Sequence, residues 1–282
     1  MMDMALHSFD DQYLGCREQV MEELERGDYF QKEIAANKDY LSLWKKAQEA
    51  LLKSPVGLLR EMQESHAIVL MTYTMNSSLH SQLNWATSIA GSSPEHYRHN
   101  FSFKYFHFYL TTAIQIMKQW QSSKESTGKH KCYRVHRGVK DLYIKAMESS
   151  KVQFGRFTST SRLWNEAQKF GNETLFTVTT CLGAAMQGFS YYVSEKEVLI
   201  FMSHMIQFFT CLQMRFAGSL NSGIYSGGFQ GCYTSGLRTV LGVGPLLLWE
   251  AEVSIKKTTI VLVVFSLLQQ HGGTVSFGKA HT

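Results

Sequence analysis

The first 120 residues of the chain repeat apolar side chains at helical spacing. Apolar residues recur every three or four positions between charged ones over 13–24 and 41–52, and further apolar stretches run over 66–73 and 101–120. Such spacing gathers the apolar side chains on one face of a helix. The pattern therefore predicts a helical N-terminal part.

Near residue 131 the pattern changes to one that is typical of β-strands. β-Branched and aromatic residues predict strands over 132–137, 152–160 and 174–182, and a fourth strand opens at 197–200. Residues 162–170 predict one short helix between the second and third strands. Helices followed by a mostly β half indicate an α+β fold.

From residue 201 onward the chain is rich in Gly and Ser, and its periodicity is weak. Short apolar strings between the glycines predict several short strands. The apolar run over 260–268 is about half of the ~20 residues that a membrane-spanning helix needs, so we expect a buried strand there. We expect neither a signal peptide nor a membrane anchor within the chain.

Composition narrows the classes of partner. The net charge is +5 and is not gathered into a stripe, so we expect no nucleic-acid partner. Five cysteines occur without a CxxC pair, so we expect no metal site. Three N-glycosylation triplets begin at Asn76, Asn100 and Asn172. They indicate passage through the secretory pathway, where disulfides are allowed.

Three short motifs in the β half could carry chemistry. His136-Arg137-Gly138 ends the first strand, Phe157-Thr158-Ser159-Thr160-Ser161 ends the second, and Ser194-Glu195-Lys196-Glu197 opens the fourth. An arginine can clamp a phosphate, and a following glycine lets the backbone approach a ligand. Two carboxylates two residues apart in an extended segment point to the same side. One could stabilise an oxocarbenium-like centre while the other receives a cationic acceptor.

Each motif also has a purely structural explanation. Arg137 could form a surface ion pair, residues 158–161 could cap a helix, and Glu195 and Glu197 could alternate along an exposed edge strand. Sequence motifs for a dinucleotide fold, a P-loop, a zinc protease and a serine hydrolase are absent. The residues by themselves therefore predict a candidate site for an anion or a nucleotide.

In order and strand context, the Arg, Ser-x-Ser and Glu-x-Glu motifs resemble the signature of the vertebrate ecto-ADP-ribosyltransferases. The resemblance covers about residues 8–200. It is carried also by Ser8-Phe9-Asp10-Asp11-Gln12-Tyr13, Gly27-Asp28-Tyr29-Phe30, Phe101-Ser102-Phe103-Lys104-Tyr105, Phe154-Gly155 and Thr180-Cys181-Leu182-Gly183-Ala184. It implies a helical N-terminal region packed on a split, mostly antiparallel β core, with NAD in the cleft.

The resemblance assigns a role to each of four catalytic candidates. Arg137 would hold NAD, and Ser159 would brace the site. Glu197 would be the catalytic glutamate that stabilises the ribosyl cation as nicotinamide departs. Glu195 would be the upstream acid that positions the acceptor arginine.

The resemblance implies further contacts and one cross-link. Tyr192 resembles an aromatic residue that stacks on nicotinamide, although core packing would also explain it. Tyr73 and Ser190 resemble further NAD contacts. Cys132 and Cys181 resemble the internal disulfide of the family, which would join the first and third strands.

The function that the resemblance implies is transfer of ADP-ribose from NAD(P)+ to a protein arginine, with NAD as co-substrate and no metal. The protein would act at the cell surface or in secreted form, held at a membrane only through an anchor not visible in this chain. Residues 8–200 would form the catalytic domain, helical over 8–130 and β-rich over 131–200. Residues 201–282 depart from the family, which usually continues with two prolines after Val-Leu-Ile. A catalytically weak cell-surface antigen or binding module and an NAD glycohydrolase are the alternatives.

Overall fold

The structure is a computed structural model, and it describes residues 5–124, 131–140, 151–171, 173–202, 205–207, 211–214 and 229–232. Within 5–124 the chain forms seven α-helices: α1 (Arg17–Arg26), α2 (Tyr29–Ala36), α3 (Tyr40–Leu52), α4 (Glu64–Thr74), α5 (Ser78–Ala90), α6 (Pro94–Asn100) and α7 (Lys104–Ser123). The four predicted helices correspond to α1, α3, α4 and α7. The first begins later than predicted, because Tyr13 and Gly15 both adopt left-handed conformations, with φ +53° and +79°.

The helical part is built around α4 and α7. Residues 66–73 of α4 are all buried, which is why this stretch is apolar on every side. The N-terminus of α7 receives a carboxylate from another helix, since Glu33 accepts hydrogen bonds from the backbone N–H groups of Tyr105 (2.6 Å) and Phe106 (3.2 Å). Burial raises the pKa of Glu33 to about 8, although these two bonds oppose the shift.

The β part begins with β1 (Tyr133–Val139), β2 (Lys151–Gln153), β3 (Thr158–Ser161) and β4 (Thr174–Thr180). It continues with β5 (Ala184–Ala185), β6 (Glu197–Ile200), β7 (Met205–Gln207), β8 (Cys211–Met214) and β9 (Phe229–Cys232), and α8 (Trp164–Gln168) lies between β3 and β4. Among the described residues, β4-β1-β3-β6-β5 form one antiparallel sheet, and β2-β7 and β8-β9 form two small ones. The α+β class and the split antiparallel core are confirmed.

One predicted strand is two strands in the structure. The prediction ran a single strand over 152–160, whereas β2 ends at Gln153 and β3 begins at Thr158. Gly155, with φ +65°, turns the chain between them, and left-handed backbone is open to glycine at little cost. β2 and β3 therefore belong to different sheets.

The implied disulfide is present. Cys132 and Cys181 form it beside the paired strands β1 and β4. In the C-terminal segment, β7 pairs with β2, and β8 pairs with β9. Among the described strands, neither the β2-β7 pair nor the β8-β9 pair joins the sheet that contains β6. The apolar run over 260–268 lies outside the described residues.

Within the described part of the chain, none of the helices is long and apolar enough to cross a membrane.

Candidate active site

A cleft of about 410 Å³ opens between helices α4 and α5 on one side and strands β1, β3 and β6 on the other. Six of the seven predicted site residues line it: Tyr73, Arg137, Ser159, Tyr192, Glu195 and Glu197. The seventh, Ser190, is buried behind it and donates a hydrogen bond to Glu197 (3.1 Å). A second pocket, of about 950 Å³ and beside α1 and α2, is lined by none of the seven predicted site residues.

The Glu197 carboxylate is the most buried acid of the cleft, with 7% of the residue exposed. It begins β6, which lies between β3 and β5 in the sheet. Burial raises the pKa of Glu197 to about 7, and the nearby Glu195 carboxylate adds to this shift. Hydrogen bonds from Ser159 and Ser190 and the positive charge of Arg137 oppose it. Near neutral pH Glu197 is therefore present both as a poorly hydrated carboxylate and as its protonated form. The alternative of an exposed edge strand is wrong.

Arg137 is fixed to the strand that carries Ser159. Its Nη1 donates a hydrogen bond to the Ser159 carbonyl oxygen at 2.7 Å. Burial lowers the pKa of Arg137, and the nearby Tyr73 and Glu197 oppose this. A guanidinium stays protonated in proteins all the same. Arg137 therefore places a partly buried cation in the same cleft as Glu197, and the alternative of a surface ion pair is wrong.

Gly138, next to Arg137, has a packing role that the sequence did not predict. A Cβ there would collide with the carbonyl oxygens of Ala167 and Gly171. Gly138 also lines the cleft. The missing side chain therefore lets α8 pack closely on β1.

Tyr73 reaches the cleft from the last turn of α4 and is held at its hydroxyl. The Tyr73 Oη donates to the Phe157 carbonyl oxygen (3.0 Å) and accepts from Asn84 Nδ2 (3.1 Å). Burial raises the pKa of Tyr73 to about 12, so the phenol is neutral. These bonds tie the helical wall of the cleft to the residue before β3.

Asn84 is a cleft residue that the sequence analysis missed. It is 8% exposed, lines the cleft, and its Oδ1 has no hydrogen-bond partner within the described structure. A buried acceptor of this kind is costly unless something else satisfies it. The only sequence signal is a polar residue on the apolar face of α5, between Leu83 and Thr87.

The prediction that Glu195 and Glu197 share one side of an extended segment is wrong. Glu195 ends a 3₁₀ turn (Val193–Glu195), and Lys196 is left-handed with φ +48°. The turn is fixed by Ser161, whose Oγ donates to the Glu195 carbonyl oxygen at 2.6 Å. Both carboxylates nevertheless line the same cleft, because the turn brings Glu195 back beside β6.

The two outer residues of the cleft are more accessible than Glu197. Glu195 is partly buried and Tyr192 is 39% exposed. Partial burial raises the pKa of Glu195, Glu166 adds to the shift, and Lys169 opposes it. The cleft thus has a buried carboxylate at its base and a second one nearer to solvent.

The helix-capping alternative for residues 158–161 is wrong, because the N-cap of α8 is Leu163 and no side chain caps this helix. The Ser161 Oγ instead accepts a hydrogen bond from the Leu163 backbone N–H at 2.9 Å, in the turn before α8. Ser159 and Ser161 both lie on β3 and both line the cleft. The whole Ser-x-Ser motif is therefore at the site, and Ser161 also shapes the following turn.

Comparison with known proteins identifies the family. Residues 2–215 match the family model of the NAD:arginine ADP-ribosyltransferases. The chain belongs to this family. Human ecto-ADP-ribosyltransferase 4, the Dombrock carrier whose motifs the sequence resembles, is 46% identical over 198 residues, which make up 70% of this chain and 61% of that protein. The mouse GPI-linked NAD(P)(+)–arginine ADP-ribosyltransferase 1 is 39% identical over 213 residues. The match covers 71% of this chain and 62% of that protein.

A solved structure of the family shares the fold. The eukaryotic mono-ADP-ribosyltransferase ART2.2, in a variant bound to NADH, matches with a TM-score of 0.62 and 28% identity, over 74% of this chain and 88% of that one. The chain spans 61% and 62% of the length of the two curated ADP-ribosyltransferases named above.

Proposed function

We propose that this ADP-ribosyltransferase family member is an NAD(P)+–protein-arginine ADP-ribosyltransferase, which transfers ADP-ribose from NAD to an arginine side chain and releases nicotinamide. The observation that carries the proposal is the arrangement of charge in the cleft. Glu197 is buried at its base beside the Arg137 cation, and Glu195 lies nearer to solvent. A carboxylate with a strongly raised pKa in a cleft is typical of catalytic sites.

The described residues suit NAD as the substrate. Arg137 supplies a cation for the negative dinucleotide, and Ser159 and Tyr73 supply hydroxyl groups close to it. Tyr192 offers a half-exposed ring for stacking on nicotinamide. The family structure with NADH bound supports the same class of ligand. In this proposal Ser190 acts through Glu197, which it holds by a hydrogen bond.

The reaction follows from the two carboxylates. When the bond between ribose C1 and nicotinamide breaks, nicotinamide leaves with the electron pair and positive charge develops on the ribose. The ionised Glu197 faces and stabilises this charge. A guanidinium nitrogen of the acceptor bonds to C1 and loses a proton. Glu195 aligns the guanidinium and accepts that proton, a task that its raised pKa favours.

Glu195 also separates this proposal from hydrolysis of NAD. Water needs no second carboxylate to align it, whereas a cationic guanidinium does. The test compares nicotinamide release with ADP-ribose transfer at saturating arginine acceptor. We expect equal rates. Release far in excess of transfer would mean that the protein is a glycohydrolase.

A binding module without catalysis would not need a buried carboxylate. Burying Glu197 costs stability, and proteins tolerate such costs at functional sites. An NAD-binding enzyme should melt at a higher temperature when NAD is added, because a ligand of the native state stabilises it. A melting temperature that NAD leaves unchanged would favour the antigen or binding module.

We further propose that residues 8–200 form the catalytic domain and that the protein acts on protein arginines at the cell surface or in secreted form. The disulfide Cys132–Cys181 suits an oxidising compartment. The relatives named ecto and GPI-linked support the same location. Any membrane association would come from an anchor outside the described residues.

A further inference from the structure

One glycosylation triplet lies on the wall of the cleft. Asn76 begins the triplet Asn76-Ser77-Ser78 in the short link between α4 and α5, and its side chain is exposed. Asn76 also lines the cleft that contains Arg137 and Glu197. A modification at this position would therefore stand at the entrance of the site.

The end of α4, just before Asn76, is hydrogen-bonded to the segment of the chain that leads to Glu195. Thr74, two residues before Asn76, accepts a hydrogen bond through its Oγ1 from the Tyr191 backbone N–H at 2.8 Å. Tyr191 leads directly into the turn that ends at Glu195. Asn76 therefore lies beside the segment that presents the acceptor carboxylate.

We propose that Asn76 carries an N-linked glycan that limits the access of folded protein acceptors to the cleft. In the modification the Asn76 amide nitrogen bonds to the anomeric carbon of a lipid-linked oligosaccharide. The polyprenyl pyrophosphate leaves with the electron pair, and the proton lost by the amide goes to the leaving group. NAD and small guanidines still pass a flexible glycan, whereas a folded surface must displace it.

Two observations support modification at this residue. The disulfide Cys132–Cys181 indicates an oxidising compartment, which is the compartment in which such triplets are modified. Asn76 is exposed in a non-helical link, which is the setting that a bulky, hydrophilic glycan requires. The effect on transfer rests on the proposed function, but the occupancy of Asn76 does not.

The chain contains a matched control. Asn100 begins a second triplet, is exposed at the end of α6, and is absent from the lining of the cleft as the structure describes it. A glycan on Asn100 would add the same mass without standing at the entrance. The third triplet, at Asn172, lies outside the described residues.

The experiment uses the full chain, expressed in eukaryotic cells behind a cleavable signal peptide that directs it to secretion. Ser78→Ala removes the triplet but keeps Asn76 itself, whereas Ser78→Thr preserves the triplet. Glycopeptide mass spectrometry should find Asn76 occupied in the parent and in Ser78→Thr, and bare in Ser78→Ala. An unmodified Asn76 in the secreted parent protein overturns the proposal.

Kinetics then test the effect on access. We expect kcat/KM for a folded arginine-rich protein to rise about tenfold in Ser78→Ala, which corresponds to 1.36 kcal/mol of activation free energy. The value for a small guanidine should stay the same, and Ser78→Thr and Asn100→Gln should match the parent. An equal change for both acceptors, or no change with Asn76 occupied, contradicts the proposal.

A second readout needs no catalysis. Lys140 is exposed and lines the cleft, so an amine-reactive ester can report on the entrance. Ser78→Ala should raise labelling of Lys140 when the ester is coupled to a folded carrier protein, but not when it is free. Equal labelling of parent and variant by the carrier-bound ester overturns the proposal. Absence of transfer to the small guanidine in every variant would instead count against the proposed function.

Discussion

Replacing Glu197 by Gln should stabilise the protein while it abolishes activity. Glutamine keeps the size of the side chain but removes the charge that faces the ribosyl cation. Loss of one pre-organised group of this kind costs on the order of 10²–10³-fold in rate. We expect nicotinamide release and ADP-ribose transfer to fall together, because both reactions pass through the ribosyl cation that Glu197 stabilises.

The gain in stability follows from the raised pKa. Burial moves the pKa of Glu197 from 4.5 to about 7, and each pKa unit corresponds to about 1.36 kcal/mol. Keeping the carboxylate ionised in the folded protein therefore costs about 3 kcal/mol. The folded state binds the proton more tightly than the unfolded state, so this cost is absent below pH 4.5, grows as the pH rises, and is complete above pH 7.

Urea denaturation of the parent and the variant from pH 4 to pH 8 measures this cost as the difference between their free energies of unfolding. We expect that difference to be near zero at pH 4 and to reach about 3 kcal/mol in favour of the variant at pH 8. Glu195→Gln is the control, and it should show a smaller rise because Glu195 is more exposed. A difference that does not change with pH, or a variant less stable than the parent at pH 8, would refute the reasoning.

Three further predictions concern other parts of the structure. Glu195→Gln should lose transfer to arginine but keep NAD hydrolysis, and an assay of both products that shows equal losses would contradict the separate roles. Arg137→Lys keeps the charge but loses the planar fork bonded to Ser159, so kcat/KM for NAD should fall about 10- to 100-fold, and an unchanged value in steady-state kinetics would argue against the site. Replacing Cys132 and Cys181 by Ser removes a cross-link between residues 49 apart and should cost about 4 kcal/mol in urea denaturation. An equal free energy of unfolding for the oxidised parent and the double variant would contradict this.

The long elements could be predicted because each carries its own periodic pattern. α3 is an amphipathic helix of 13 residues, α7 is a helix of 20 residues with a long apolar stretch, and β4 is a continuous run of strand-forming residues. α6 is only seven residues long, and its start depends on the Ser93 cap, whose Oγ accepts the His96 N–H at 3.0 Å. The division into β2 and β3 depends on the conformation of Gly155. Such local details carry little periodic signal.

The candidate site could be found from motif order, but its geometry could not. The order of the motifs along the chain identifies Arg137, Ser159, Glu195 and Glu197 as site residues. All four line one cleft. The turn at Lys196 was missed, because a left-handed residue outside glycine leaves no clear mark in sequence. Contacts between distant segments, such as Asn84 with Tyr73, need the folded structure.

The central claim is that the cleft moves ADP-ribose from NAD to a guanidine. The most direct measurement incubates the folded full chain with isotopically labelled NAD and a small guanidine, and identifies the products by mass spectrometry. We predict a labelled ADP-ribosyl-guanidine with one nicotinamide released for each product, formed on the order of 10²–10³-fold more slowly by Glu197→Gln. A folded protein that binds NAD but forms no such product, or a Glu197→Gln variant that forms it as fast as the parent, would contradict the claim.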